Sequence, residues 1–393
     1  TPLSLDRNTT TMVHFHKIDV RPSIAIHLPD RLLQQGYRLD PNCPGSFGEN
    51  GIIKKFDCPG APSIAVKKFL LRTSGMTKDR ALLILRELNL LRSMRHSNIV
   101  RLVDKYAVVD HSCTPSQVPE TMQSIYHITL YCGVSLSSVI ARGDYDMAQV
   151  KTWIRELLSA LQYIHALGIS HRDLNPENIC IRTEGDRKLT ILGFGKARVL
   201  DSKTNTLNRG NGFYMAIEMQ ITMKNSYDEM VDIWSMAVIL CEMLTGKVLF
   251  TGKDRNKENV KNVMKHMIEY CGAVEEAVLI KIDSDIDRNS LIGLQKGKER
   301  KDFQEFLRAD VGDGRGIRAQ DIDNEPDLRS FLDRTLQHNP KARMSADESL
   351  CHPFVFPQAL PKEPANIKPK GEEAAIKALL DNIFEEIQAP MGN

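Results

Sequence analysis

The spacing of apolar positions along this chain changes near Gly133. Before it, apolar residues mostly alternate with polar ones. Val13 and Phe15, then Ile24, Ile26 and Leu28, predict short strands over 13–28 with a proline-containing turn between them. Two more strand-like runs occupy 45–69 around the turn Cys58-Pro59-Gly60-Ala61-Pro62. One helix interrupts the pattern at 79–94, where Leu82, Leu83, Leu85, Leu88, Leu91 and Met94 form a broad apolar face. Strands are expected again at 99–109 and 125–131. After Gly133 the helical period takes over. Val150, Trp153, Ile154, Leu157, Leu158, Leu161 and Ile164 recur at three and four across 147–167, and Gly168 stands where a helix would end. The stretch 231–244 is apolar almost all round, which predicts a buried central helix stopped by Gly246. Further helices are expected at 256–270 and 327–336, and a Pro- and Lys-rich linker at 356–370 leads to an amphipathic helix at 372–387. Strands early, helices late and no repeat period indicate an α+β chain with a small β-rich lobe and a larger helical one.

Composition narrows the function classes. The chain has 393 residues, with 52 Lys and Arg against 50 Asp and Glu, a net charge of only +2. That balance argues against nucleic acid as a partner. The most apolar stretch, at 237–244, is interrupted by Glu242 and far too short to span a bilayer, so no membrane association is expected. No signal-like arrangement opens the chain, so secretion is not expected. The eight cysteines are scattered without a CxxC pair, which reads as reduced thiols and not as a disulfide frame or zinc site. His14 and His16 share one short run without a nearby carboxylate cluster and read as strand-face residues.

The segment His171-Arg172-Asp173-Leu174-Asn175-Pro176-Glu177-Asn178 carries the strongest chemical signal. It resembles the catalytic loop H-R-D-L-x-x-x-N of protein kinases, placed between a long helix and two short strands. The resemblance implies a bilobal kinase-like fold that uses ATP. It also implies that Asp173 accepts the proton of a substrate hydroxyl and that Asn178 holds a magnesium ion. Ile64-Ala65-Val66-Lys67 resembles the strand motif V-A-I-K, making Lys67 the cation for the α- and β-phosphates and Glu87 its ion-pair partner. Gly45-Ser46-Phe47-Gly48 stands at the phosphate loop, Ala65 in the nucleotide pocket, and Thr129 at the gatekeeper position behind it. Ala216-Ile217-Glu218 matches A-P-E, whose Glu is expected to pair with Arg343, and Asp232 is expected to anchor the catalytic-loop backbone.

Over 13–387 the chain resembles a MAP kinase of the stress-activated kind. The likeness rests on Tyr126-His127-Ile128-Thr129, Val231-Asp232-Ile233-Trp234-Ser235, the run from Leu244 to Asp254, an inserted stretch at 277–294 and the C-terminal helix. It implies four parts: an N-terminal extension with a hairpin (1–36), an N-lobe (37–131), a C-lobe with the insert (132–354) and a tail with a packing helix (355–393). Partners would be other kinases or their substrates, met in the cytoplasm and also in the nucleus.

Several positions depart from that pattern. Gly193 replaces the Asp of D-F-G and offers no oxygen to a hard cation, so magnesium binding of the usual kind is in question. Asn175 replaces a Lys of the catalytic loop, and Cys43 and Asn50 erode the phosphate loop. Of the T-x-Y phosphorylation pair only Thr206 remains, as the activation-loop candidate. The acidic docking site aligns with 359–363, where Ala359 and Lys362 stand in place of carboxylates. Two readings follow. One is a nucleotide-binding pseudokinase with a regulatory or scaffolding role. The other is an active Ser/Thr kinase that tolerates the missing Asp. The losses fall in four separate functions (metal, nucleotide, activation and recruitment), which favours the first.

Overall fold

The computed structural model describes residues 26, 28–43, 45–48, 51–70, 78–109, 122–183, 185–200, 211–220, 228–251, 260–280, 282, 285–300, 302, 307 and 316–356. The chain divides into two compact units: residues up to Ile84 with Val100–Tyr131, and Leu85–Ile99 with everything from Cys132 onward. The family of elements is the expected one, a β-sheet unit and a helical unit, so the fold class is α+β.

In the first unit six antiparallel strands form one sheet: β1 (Arg38–Leu39), β2 (Ser46–Gly48), β3 (Gly51–Cys58), β4 (Ala61–Leu70), β5 (Leu102–Val109) and β6 (Met122–Leu130). Their order is β1-β3-β4-β6-β5, with β2 paired to β3. The period-two pattern sorts β4 by face. Ile64 and Val66 are buried with Phe56, Tyr126 and Ile128, while Ala65 and Lys67 lie on the other face, where Ala65 pairs in register with Thr129. Lys68 turns toward the core face, is almost wholly buried, and sits with Nζ 5.7 Å from the Tyr126 ring. Burial pulls its pKa below the ordinary lysine value. Leu28 and the helix Asp30–Gln34 close over this core through Leu32. Strand structure was expected to reach Leu28, but Ile26 and Leu28 are not in a strand. Pro29 has no N–H for a ladder, and its fixed φ of −55° starts the helix instead. The rest of 13–28, including His14 and His16, lies outside the described residues, as does the C-terminal helix expected at 372–387.

The second unit is organised by two helices. Met147–Ala166 starts at a capping box in which the Asp146 carboxylate accepts from the Gln149 N–H and the Gln149 side chain accepts from the Asp146 N–H. Its face from Val150 to Ile164 is buried, and Gly168 leaves it at φ 68°. Met230–Thr245 is buried all round, as its composition required, and Gly246 ends it at φ 73°. Short strand pairs connect these helices to the loop of interest: β8 (Ile169–Ser170) with β11 (Arg198–Val199), and β9 (Ile179–Ile181) between β7 (Val134–Ser135) and β10 (Leu189–Ile191). Among the described residues, no helix is long and apolar enough to cross a membrane.

A carboxylate on a helix buried on every side needs a hydrogen-bond partner. Glu242 accepts a 2.6 Å hydrogen bond from the Tyr214 hydroxyl. Burial, aided by the like charge of Glu177 and opposed by that hydrogen bond, pushes the Glu242 carboxyl up to about 7. An unfolded glutamate titrates near 4.5, so folding takes up a proton between these values. The stabilisation belonging to the protonated form is complete below pH 4.5 and is lost as pH rises toward 7. We therefore expect wild type to lose on the order of 3 kcal/mol relative to Glu242→Gln between pH 4.5 and 7.5. Urea unfolding of both proteins across that range measures it; parallel pH profiles would show that the carboxyl is not buried in this way.

Candidate active site

The loop that carries Asp173 is held from below by one carboxylate. Asp232, fully buried near the start of the central helix, accepts backbone N–H bonds from His171 and Arg172, both at 2.8 Å. It also accepts from the Ser170 hydroxyl at 3.0 Å and lies 3.0 Å from His165 Nε2. Burial opposes its charge, but hydrogen bonds from His165 and the Arg172 backbone hold its carboxyl below the ordinary range. Two adjacent N–H groups can converge on one carboxylate only if the backbone turns sharply. Arg172 takes that turn at φ 65°, a conformation that costs a non-glycine residue about 1 kcal/mol. His171 secures the other side: Nε2 donates to the Leu192 carbonyl at 2.7 Å, and its ring meets Phe194 edge-on at 4.7 Å. Asp232 thus takes the anchoring role expected of it, and the expected pair of Glu218 with Arg343 is formed at 2.8 Å.

Asp173 stands on this support with both carboxylate oxygens engaged. Oδ2 accepts from Asn178 Nδ2 at 3.2 Å and pairs with Lys196 Nζ at 3.2 Å. Oδ1 accepts from the Asn211 N–H at 3.1 Å. Asn175, where the family has Lys, has turned inward. It is buried, its Oδ1 caps the one-turn helix Pro176–Asn178 through the Glu177 N–H, and its Nδ2 donates to the Asp173 carbonyl at 2.9 Å. Lys196 was not foreseen from the sequence. A lone lysine two residues beyond Phe194 has no recognisable pattern, and only the pairing of β11 with β8 brings it beside Asp173.

Gly193 is more than a missing carboxylate. It adopts φ 77° and ψ 40°, and a Cβ added there would lie 2.5 Å from Asn178 Oδ1 and 2.7 Å from Asn178 Cγ. The Asn178 amide cannot simply swing aside, because Nδ2 also donates to the Asp173 carbonyl at 2.8 Å. The place of a side chain at 193 is therefore taken by Asn178. Asp173, Asn175, Asn178, Gly193 and Lys196 all belong to the helical unit. Glu87, buried, belongs there as well.

The other residues expected to hold nucleotide lie in the sheet unit. Ala65, Lys67 and Thr129 share one sheet face, and Lys67 Nζ is 4.6 Å from the centre of the Phe69 ring. Gly45-Ser46-Phe47-Gly48 forms the start of the β2–β3 hairpin, with Gly48 paired to Gly51. Gly45 has φ 74°, and a Cβ there would come within 2.6 Å of the Ile53 carbonyl oxygen, so this turn requires glycine. Thr206, Ala359 and Lys362 lie outside the described residues. A second basic group was also missed: Arg86, whose Nη1 is buried with no hydrogen-bond partner among the described residues. Burial and then repulsion from Arg172 and Arg198 pull its guanidinium below the ordinary arginine value. Three arginines far apart in sequence gave no signal as a group.

The contact at Gly193 sets an expectation for substitution. Gly193→Asp puts a side chain into a left-handed position already filled by Asn178, and Gly193→Ala does the same without charge. Both are expected to lose about 1–2 kcal/mol, roughly 1–3 °C in the thermal midpoint, and the aspartate is expected to restore little phosphotransfer. Melting curves and a generic-substrate kinase assay on the two variants check this. An Asp variant as stable as wild type and highly active would show that the site accommodates the carboxylate freely.

The protein kinase domain family matches residues 45–355. Mitogen-activated protein kinase p38b of Drosophila melanogaster is 27% identical over 380 residues, which cover 97% of this chain and 91% of that protein. Mitogen-activated protein kinase hog1 of Aspergillus niger is 31% identical over 335 residues, 85% of this chain and 80% of its own. Human mitogen-activated protein kinase 12 is 30% identical over 320 residues, 80% of this chain and 77% of its own. Because the matched span takes in the Asp173 loop and the buried helix that anchors it, the chain belongs to the protein kinase family and is similar to its stress-activated MAP kinases.

Proposed function

We propose that this protein is a nucleotide-binding signalling module on a MAP-kinase-like fold, with Ser/Thr phosphotransfer lost or strongly impaired. The observation that carries the reading is the closure of Asn178 over Gly193. A magnesium ion takes hard oxygen ligands, usually carboxylate and phosphate. Here position 193 supplies none, Asn178 offers one neutral oxygen while its Nδ2 donates to Asp173, and Asp173 is paired with Lys196. This donor set fits magnesium poorly. Losing about 4 kcal/mol of metal charge stabilisation would slow transfer roughly a thousandfold. ATP is the nucleotide this family uses, and Ala65, Lys67 and Thr129 on one sheet face support its retention. The rival reading, an active kinase, draws on Asp173 and Asn178 standing where the family needs them.

Regulation and partners follow from the same likeness. Arg86, Arg172 and Arg198 form a positive cluster that suits a phosphorylated Thr206. Other kinases or their substrates are the partner class, and a signalling role of this kind would be exercised in the cytoplasm and in the nucleus.

Thermal-shift measurements with ATP in magnesium, manganese or EDTA test the central claim. Equal stabilisation in all three is expected, together with near-background phosphotransfer. Stabilisation that appears only with magnesium, accompanied by turnover, would replace the proposal with the active-kinase reading.

Recruitment has its own test. Basic docking peptides are attracted by carboxylates, and Ala359 and Lys362 provide none. A Lys/Arg-rich docking peptide is expected to bind weakly, and Ala359→Asp with Lys362→Asp to strengthen it at low salt. Peptide titration against both proteins measures this, and tight, salt-sensitive binding by wild type would refute it.

A further inference from the structure

We infer that Lys196 is the resident cation of this site, the group that meets the phosphate chain of a bound nucleotide without a metal ion. The inference rests on the nucleotide-binding reading above for its ligand class, and goes beyond it in assigning the charge to one side chain. Lys196 Nζ lies 3.2 Å from Asp173 Oδ2, and the lysine side chain retains 22% of its exposure. An ammonium group has three donors. One faces Asp173, which leaves donors for a ligand arriving from the open side.

The fold holds this lysine in place from both directions. It ends the one-turn helix Phe194–Lys196, whose Phe194 is fully buried against His171. The Ala197 N–H closes that turn on the Phe194 carbonyl at 3.1 Å, and the next residue, Arg198, pairs with Ser170 at the foot of the catalytic-type loop. Backbone pairing therefore places the main chain at Lys196, and the ion pair with Asp173 places its ammonium.

Charge accounting agrees with the geometry. Among Asp173, Asn175, Asn178, Gly193 and Lys196 there is one carboxylate and one ammonium, so these side chains sum to zero. A dication gains little from such a group. A polyphosphate, which repels carboxylates, meets a single carboxylate that is already neutralised. Asn175 cannot share the role, since its amide is engaged by the Asp173 carbonyl and the Glu177 N–H. The loss at 193 and the cation at 196 are thus two halves of one arrangement.

Calorimetric titration in EDTA of wild type, Lys196→Gln and Lys196→Arg, with ATP, inorganic tripolyphosphate and adenosine as ligands, tests the inference. Lys196→Gln is expected to weaken ATP and tripolyphosphate about tenfold, the worth of one charge-assisted hydrogen bond. Lys196→Arg is expected to keep most of that affinity, and adenosine to bind all three proteins alike. Unchanged polyphosphate binding by Lys196→Gln, or binding by wild type only once magnesium is added, would overturn the inference. Adenosine binding that persists in either of those cases would leave the nucleotide reading standing. Conversely, tripolyphosphate binding that depends on Lys196 while ATP and adenosine fail to bind would uphold the cation and remove the nucleotide.

Discussion

A carboxylate buried without solvent is tolerable only when hydrogen bonds replace the water it has lost, and Asp232 is such a group. Its partners are the backbone N–H groups of His171 and Arg172, the Ser170 hydroxyl and the His165 ring. Four donors converging on two oxygens fix the path of the chain from Ser170 to Asp173, including the left-handed turn at Arg172. The helix carrying Asp232 is itself buried on every side, so the anchor does not move relative to the core. Without that carboxylate the His171 and Arg172 N–H groups and the left-handed turn between them would lose their partner. The placement of Asp173, Asn175 and Asn178 is downstream of it.

On that frame the site has been rearranged as a set. Glycine at 193 lets Asn178 approach so closely that any Cβ would collide with it. The same amide then reaches both the carbonyl and the carboxylate of Asp173. Lys196 neutralises that carboxylate from the segment beyond Phe194. Asn175, uncharged, caps the turn Pro176–Asn178 through the Glu177 N–H. Together they leave a packed and electrically balanced group, as expected of interactions that select one another.

Much of this was legible before any coordinates. The apolar periods located the helices Met147–Ala166 and Met230–Thr245 to within a residue or two, because each buries a long face and the pattern has many repeats to show itself. Short or interrupted patterns did less well: Leu28 resembled the end of a strand but joins the core beside a helix started by Pro29. In the site, Asp173, Asn178 and the absence at Gly193 were visible because a contiguous octet and triplet carry them. Lys196, Arg86 and the Glu242–Tyr214 pair were not, since each depends on residues brought together from separate elements.

The sequence by itself determined which residue types are available: a β-rich then helical order, a kinase-type loop, a glycine without a carboxylate at 193 and an asparagine without a charge at 175. It determined these because composition and period are local properties, readable within one element. Tertiary structure alone decided what those substitutions mean. Whether position 193 has space for a side chain depends on where Asn178 points, and that follows from its hydrogen bonds to Asp173. Whether Asn175 faces a ligand or the protein depends on the turn it caps, and whether Lys196 is a surface charge or a partner of Asp173 depends on the pairing of β11 with β8. The contacts of Asn175 lie within its own loop, but those of Asn178 with Gly193 and of Lys196 with Asp173 join separate segments, and such contacts are set only when the chain has packed.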